Sequence, residues 1–271
     1  MQSVELSLLL GIVLIFFAGG AFSQIGLYRY LKKKPIDTTH ATHRITQTAW
    51  PLTLLMRFVL LNLSIWLLAS LCISRLSALS TDYLNLLATY LMYGGVLLLL
   101  FYFYRRYPLA PFALNLTRKE VKKAHWIVIC YLAFMPILAI TTLLYHTYLN
   151  TYFQLEIQPQ EVLSIIQESE GIVRYLYIFT AIFTGPFIEE LFFRGILFPA
   201  LTQRFGLKKG LLFSALLFAL IHLHVPALLP ILLLGIVLNL LYWFTGNLWS
   251  AIALHVLFNT ISISVAQLNL V

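Results

Sequence analysis

The sequence predicts an all-α integral membrane protein, a bundle of about eight transmembrane helices with a four-helix core in its C-terminal part. The first reason is composition: of 271 residues, 61% are hydrophobic and only 10% are charged, whereas a soluble domain carries about 25% charged residues. Mean hydropathy is +0.88. The second reason is that the apolar residues occur in long stretches, and one helix needs about 20 of them to span the hydrocarbon.

Eight apolar stretches are the candidate spans, in chain order. They cover residues 4–25, 52–73, 83–104, 126–145, 172–192, 211–223, 228–244 and 248–267. The sixth and seventh are short, and we expect them to meet at a tight turn around Val225 and Pro226. Ionisable residues are almost absent from the earlier spans and concentrate in the later ones. We therefore divide the chain into an N-terminal part, residues 1–171, with about four spans and an outer connecting segment, and a C-terminal core of about four spans, residues 172–271.

The charges in the connections predict how the bundle is oriented. The fourth connection holds four glutamates against a lone Arg174. The first, third and fifth connections are basic, with Arg29, Lys32, Lys33, Lys34, Arg44, Arg105, Arg106, Arg118, Lys119, Lys122, Lys123, Arg204, Lys208 and Lys209. The positive-inside rule makes the basic connections cytoplasmic and turns both termini outward. We therefore expect the net charge of +8 to meet anionic headgroups and not nucleic acid.

The fourth connection is also the longest polar stretch of the chain. Four of its apolar residues can share one face of a helix: Val162, Leu163, Ile165 and Ile166. This pattern predicts a short helix that lies in the outer interface, either as a plain connector or as a substrate gate.

Two of the ten acidic residues, Glu189 and Glu190, lie inside a strongly apolar stretch. A charge near the bilayer centre costs on the order of 2.5–3.5 kcal/mol on insertion scales, so an adjacent pair there needs a compensating role. The later spans add four more polar residues to this pair: Arg194, His222, His255 and Asn259. The sequence therefore predicts that the chemistry of this protein lies in its C-terminal part.

Three pairs of residues are spaced four apart, and such residues stack on one helical face. The pairs are Glu190 with Arg194, Phe218 with His222, and His255 with Asn259. Because neighbouring side chains of a helix point about 100° apart, Glu189 and Glu190 cannot share one target. We assign Glu189 to a cavity and Glu190 to a charge-assisted hydrogen bond with Arg194; the reverse assignment stays open.

The chemistry that this set offers is the activation of water. A carboxylate in an apolar pocket can act as a general base, and a neutral histidine opposite can hold the same water. His255 and Asn259 can donate hydrogen bonds to a developing oxyanion. Together these groups fit hydrolysis of a peptide bond without a covalent nucleophile.

Three motifs carry a resemblance to a known family: EExxxR at residues 189–194, FxxxH at 218–222 and HxxxN at 255–259. In order and type they resemble the motifs of the CPBP family, which comprises CAAX prenyl endopeptidases and bacteriocin-processing intramembrane proteases. Each motif alone is weak, but three in order, each in its own apolar stretch, make a specific signal. The resemblance covers about residues 172–262.

The resemblance implies a glutamate-dependent intramembrane endopeptidase, of a family formerly classed as metalloproteases. It implies that Glu189 and His222 position and activate the water and that His255 and Asn259 form the oxyanion hole. It also implies a bracing role for the two remaining residues, Glu190 and Arg194.

We expect that no cofactor is required. If a divalent metal such as zinc is present, the expected ligands are Glu190, His222 and His255. The sequence contains no HExxH helix, whose two histidines one turn apart would make a zinc site far more secure.

The expected partners are the lipid bilayer and a membrane-anchored or lipid-modified protein or peptide as substrate. The expected location is a bacterial cell membrane, which the chain crosses several times, with the active site toward the cytoplasmic half. The alternative is a non-enzymatic membrane protein, either a proton-coupled transporter or a degenerate protease homologue that binds partners, because Glu and His inside a membrane also form proton relays. The pair of His255 with Asn259 favours the enzyme, because an oxyanion hole has no role in a relay.

Overall fold

The structure, a computed structural model, describes residues 2–75, 81–107, 109, 112–114 and 124–268, with the backbone alone for residues 2–13. All regular elements within these ranges are helices, which confirms the all-α prediction. We number the helices α1 to α10 in chain order: Gln2–Lys33, Thr38–Thr46, Leu52–Ile73, Thr81–Arg106, His125–Phe153, Glu161–Glu168, Gly171–Phe205, Leu207–Leu220, Leu228–Thr245 and Leu248–Gln267.

Six helices of the described chain are long and apolar enough to cross a membrane, fewer than the eight predicted spans. They are α3, α4, α5, α7, α9 and α10. The span that contains α9 also includes the short turn Val225–Ala227 before it. The predicted sixth span is α8, which has only 14 residues and so measures about 21 Å, less than the hydrocarbon thickness. The predicted first span lies within α1, whose side chains are described from residue 14 onward. The chain is thus an integral, multi-pass membrane protein.

Hydrogen bonds at the helix ends show which connections lie together. Arg44 of α2 donates through Nη2 to two backbone carbonyls near the end of α9, at 2.7 and 3.1 Å. Tyr177 at the start of α7 donates to the carbonyl of Asp82 at the start of α4, at 2.9 Å, and Arg174 binds Gln267 at the end of α10. Because α10 runs from one end of the bundle to the other, Arg44 and the acidic connection 154–170 lie at opposite ends. Four residues of the predicted basic set are outside the described ranges: Arg118, Lys119, Lys122 and Lys123.

The N-terminal helices pack against the helix that carries the two glutamates. The ring of Phe58 in α3 stacks on that of Phe192 in α7, with centroids 6.0 Å apart. The hydroxyl of Tyr90 in α4 is 2.8 Å from Oγ1 of Thr180 in α7. These contacts join the N-terminal helices α3 and α4 to α7.

Helices α7 and α8 approach so closely at Gly210 that no side chain fits there. A Cβ on Gly210 would lie 2.7 Å from the Cα and N of Thr202. We expect Gly210→Val to force the two helices apart and to lower the free energy of unfolding by about 1–3 kcal/mol, the usual cost of overpacking. Thermal unfolding in detergent measures this change, and Gly94→Val is the control, since a Cβ on Gly94 meets nothing within 4 Å. Equal unfolding temperatures for the two variants would contradict the prediction.

Candidate active site

Two π-helical turns interrupt α7 on either side of the glutamates. They are Thr180–Thr184 and Phe193–Leu197, and the α-helical segment Gly185–Phe192 between them carries Glu189 and Glu190. Such single π turns inside α-helices occur frequently at functional sites. They rotate the two glutamates relative to the rest of α7.

The first π turn brings Asn259 of α10 to α7. The N–H of Gly185 bonds to the carbonyl of Thr180, five residues earlier. Pro186 has no N–H, so the carbonyl of Ala181 lacks the next helical donor. Asn259 supplies one instead, because its Nδ2 donates to the Ala181 oxygen at 2.8 Å. An amide NH₂ has two hydrogens, so one hydrogen of Asn259 is held by this bond and the second is available.

Glu190 is fully buried and is bound by two partners through the same oxygen. Its Oε1 accepts from Nη1 of Arg194 at 2.8 Å and lies 2.8 Å from Nδ1 of His255. Glu190 and Arg194 are both 0% exposed, and His255 is 3% exposed. A carboxylate can only accept, so Nδ1 of His255 carries a proton and Nε2 is turned away from Glu190. The ion pair thus orients the His255 ring.

The other two nitrogens of Arg194 each donate to α9. Its Nε donates to Oδ1 of Asn239 and its Nη2 to the carbonyl of Gly235, each at 3.1 Å. The guanidinium also lies over the ring of Phe218, with Cζ 4.4 Å from the centroid. Buried charges persist only when paired and hydrogen-bonded in this way. Arg194 therefore ties α7 to both α8 and α9.

Glu189 points into a cavity. Its side chain is 24% exposed, and its Oε2 lies 3.9 Å from Nε2 of His255. The adjacent glutamates therefore have different targets, as the helical geometry requires: Glu190 faces Arg194, and Glu189 faces open space.

His222 reaches the same cavity from the end of α8. The chain reverses directly after it, because Leu223 has a positive φ of 49°. Nδ1 of His222 lies 2.7 Å from the carbonyl of Phe218. A carbonyl only accepts, so Nδ1 carries the proton and Nε2 of the neutral ring keeps a lone pair. The geometry leaves His222 able to accept a hydrogen bond from water.

The cavity has a volume of about 590 Å³ and contains Glu189, His222, His255 and Asn259 in its lining. It extends from Glu189 along α4, α7 and α10 to the short helix α6. Two exposed residues, Asn85 and Glu161, belong to its lining near the starts of α4 and α6. The cavity therefore reaches the surface at the acidic end of the bundle.

Helix α6 forms the roof of the cavity. It is the short amphipathic helix that the sequence predicts in the fourth connection, and Val162, Leu163 and Ile165 line the cavity. Ile166 is fully buried and packs with Leu86 of α4 and with neighbouring residues of α7 and α10. This packing holds α6 against three transmembrane helices.

The expected alternative metal ligands do not form a metal site in this structure. Oε1 of Glu190 and Nδ1 of His255 bind each other, and the same oxygen also binds Arg194. Nδ1 of His222 is engaged by a backbone carbonyl. Throughout the described ranges, no group of three His, Cys, Asp or Glu residues is arranged to hold a metal ion. The donor set of Glu190, His222 and His255 therefore fits zinc poorly.

All six residues predicted from the sequence lie within this assembly: Glu189, Glu190, Arg194, His222, His255 and Asn259. Their catalytic roles remain predictions. Sequence reasoning missed Asn239, the buried acceptor for Arg194, although a single asparagine inside the apolar stretch 228–244 is a signal that could have found it. It also missed Tyr93 of α4, which lines the cavity.

The three motifs all contribute residues to one cavity of the C-terminal core, and this core is similar to a known family. Residues 172–261 match the family described as "Type II CAAX prenyl endopeptidase Rce1-like". This match confirms the resemblance to the CPBP family for the C-terminal core.

A curated relative supports the same conclusion. The protein named "Putative membrane peptidase YdiL" from Bacillus subtilis (strain 168) is 31% identical over 101 residues. The aligned region makes up 37% of this chain and 39% of the relative, so the chain matches well under half of that protein. No solved structure matches this chain.

Proposed function

We propose that this protein is an intramembrane endopeptidase that hydrolyses a peptide bond through a water activated by Glu189 and His222. One observation carries the proposal: among the described residues the Glu189 carboxylate has no ion-pair partner closer than 3.9 Å, and it shares one cavity with His222, His255 and Asn259. The match to a family of endopeptidases supports the reaction class.

In the proposed reaction, Oε2 of Glu189 takes a proton from a water that Nε2 of His222 holds. The water oxygen bonds to the carbonyl carbon of the substrate, and the carbonyl oxygen becomes an oxyanion. When the tetrahedral intermediate collapses, the C–N bond breaks and the amine leaves with the proton that Glu189 had accepted. Glu189 acts first as a proton acceptor and then as a proton donor, so the protein ends the cycle unchanged.

His255 and Asn259 are the proposed donors to the oxyanion. Asn259 would use its second amide hydrogen, since the first is bound to Ala181. His255 would donate from Nε2, which requires a proton on both ring nitrogens. The carboxylate of Glu190 against Nδ1 is the partner that such an imidazolium needs. Preorganised donors of this kind are usually the largest single contribution to acyl-transfer catalysis.

The proposed substrate is a membrane-anchored or lipid-modified protein or peptide whose scissile bond reaches the cavity. We place the protein in a bacterial cell membrane, with the basic end of the bundle at the cytoplasm under the positive-inside rule. In α10, His255 is 7 residues from the start of the helix and 12 from its end. By the helical rise of 1.5 Å per residue the site then lies in the cytoplasmic half.

A cleavage assay tests the proposal. Purified protein in liposomes is given a quenched fluorescent peptide that contains a membrane-inserting segment. We expect the wild type to cleave it and Glu189→Gln and His222→Ala to lose cleavage. Cleavage that persists in both variants would exclude the mechanism, and a wild type that transports protons without cleaving any peptide would favour the non-enzymatic alternative.

The reaction is proposed to need no metal. We therefore expect the wild-type rate to stay within about two-fold after exhaustive treatment with a strong chelator. The physical reason is that Glu190 and His255 are committed to each other and to Arg194. A rate that falls with chelator and returns on addition of zinc would contradict this prediction, because metal binding to a His and carboxylate site is reversible in that way.

A further inference from the structure

The N-terminal part of the chain contributes a tyrosine to the lining of the cavity. Tyr93 lies on α4, outside the region that matches the family, and lines the same cavity as Glu189. Its hydroxyl lies 3.2 Å from the point where a Cβ on Gly185 would stand. Oε1 of Glu189 lies 3.4 Å from the same point. Because Gly185 has no side chain, the space next to the Tyr93 hydroxyl and the Glu189 carboxylate stays free.

The two oxygens of Glu189 face different groups. Oε2 is the oxygen on the side of His255, and Oε1 is the one near Gly185 and Tyr93. Within the described part of the chain, the carboxylate accepts no direct hydrogen bond, whereas a catalytic carboxylate must be held in one orientation to act efficiently.

A second tyrosine on the same helix shows what a purely structural phenol does here. Tyr90 lies one turn before Tyr93, and its hydroxyl is 2.8 Å from Oγ1 of Thr180. Tyr90 thus has a side-chain partner on α7 and does not line the cavity. The hydroxyl of Tyr93 makes no direct hydrogen bond to the residues described. A polar hydroxyl inside a membrane protein needs a partner, and the nearby carboxylate is Glu189.

We propose that Tyr93 is a positioning residue whose hydroxyl donates to Oε1 of Glu189 when substrate and water occupy the cavity. Oε2 is then directed at the water whose proton it takes. The proposal rests on the proposed function, since it gives Tyr93 a role in the same hydrolysis. It also assigns a purpose to α4: the N-terminal helices complete the site that the C-terminal motifs begin.

The first test compares Tyr93→Phe with Tyr90→Phe in the peptide cleavage assay. Loss of a hydrogen bond to a charged group changes a rate constant by about 10- to 100-fold. We therefore expect kcat of Tyr93→Phe to fall by about 10- to 100-fold. KM is expected to stay within about two-fold, because the phenol acts on Glu189 and not on the substrate. Tyr90→Phe is expected to keep the wild-type kcat. Equal kcat values for the two variants, or a change confined to KM, would overturn the proposal.

The second test uses Gly185→Ala, which adds a methyl group within 3.2 Å of the Tyr93 hydroxyl and 3.4 Å of Oε1 of Glu189. Alone it is expected to lower kcat by about 10-fold or more, as loss of one hydrogen bond to a charge does. In the Tyr93→Phe background it is expected to add less than about three-fold, because two changes that break one interaction are not additive. Fully additive losses in variants that keep the wild-type unfolding temperature would overturn the proposal.

The proposed function and the role of Tyr93 are tested separately by these variants. If the wild type cleaves peptide and Glu189→Gln does not, the proposed function stands whatever Tyr93→Phe does. A wild-type kcat in Tyr93→Phe would then remove the role of Tyr93 alone.

Discussion

Replacing Glu189 by glutamine is expected to lower kcat for peptide cleavage by about 10²- to 10⁴-fold, the usual contribution of a general base. Glutamine has nearly the same shape but cannot take a proton from water. Because the Glu189 side chain faces the cavity and is 24% exposed, the loss of its charge leaves no buried partner unpaired. The fold should therefore survive, and the defect should appear in turnover.

Two comparisons make this result interpretable. Glu168→Gln is the matched control. Glu168 is an exposed residue of α6 that does not line the cavity, and the substitution is chemically the same. The double variant Glu189→Gln/His222→Ala should be only slightly slower than the slower single variant, because both groups act on one water and such effects are grossly non-additive. Multiplicative losses would show that the two residues act on separate steps.

Replacing Arg194 by methionine is expected to lower the free energy of unfolding by about 3–5 kcal/mol, the cost of breaking a buried ion pair by removing one partner. Glu190 would remain 0% exposed with its charge uncompensated by Arg194. Asn239 and the Gly235 carbonyl would lose a donor as well. Denaturation followed by intrinsic fluorescence in detergent measures the change.

The control lies on the same helix. Arg204 is an exposed residue near the end of α7, and Arg204→Met should change the free energy of unfolding by no more than about 0.5 kcal/mol, as surface substitutions do. The double variant Glu190→Leu/Arg194→Met should be less destabilised than Arg194→Met alone, because it leaves no unpaired charge. If Arg194→Met unfolds like Arg204→Met, the ion pair does not support the fold.

Sequence patterns were sufficient for the fold class and for the partners within a helix. Spacing of four residues predicts that Glu190 meets Arg194, since this distance along one helix is fixed by geometry alone. Contacts between helices follow from packing. The lone Asn239 stands out in its apolar stretch, but the sequence does not show which helix Asn239 or Tyr93 faces. Tyr93 is one of fifteen tyrosines in the chain, so its residue type carried no signal.

The number of spans could not be read from hydropathy for a physical reason. Residues 211–223 are as apolar as a span, but the chain turns at Leu223, so α8 ends at Leu220 after 14 residues. The π turns of α7 were equally hidden, because they change the hydrogen-bond register by one residue and leave the apolar pattern nearly intact. Pro186 follows the first π turn, directly after Gly185, and it has no N–H to donate in either an α-helix or a π-helix.

Under the proposed function, the distance between the opening of the cavity and Glu189 limits which peptides can be cleaved. Tyr177 and Glu189 both line it and are twelve residues apart on α7, which corresponds to about 18 Å of helix. An extended chain covers about 3.3–3.6 Å per residue, so roughly five residues of substrate must uncoil and thread past α6 before a bond reaches Glu189. Under the proposed function, a substrate segment that unwinds readily would therefore be favoured over one that stays helical.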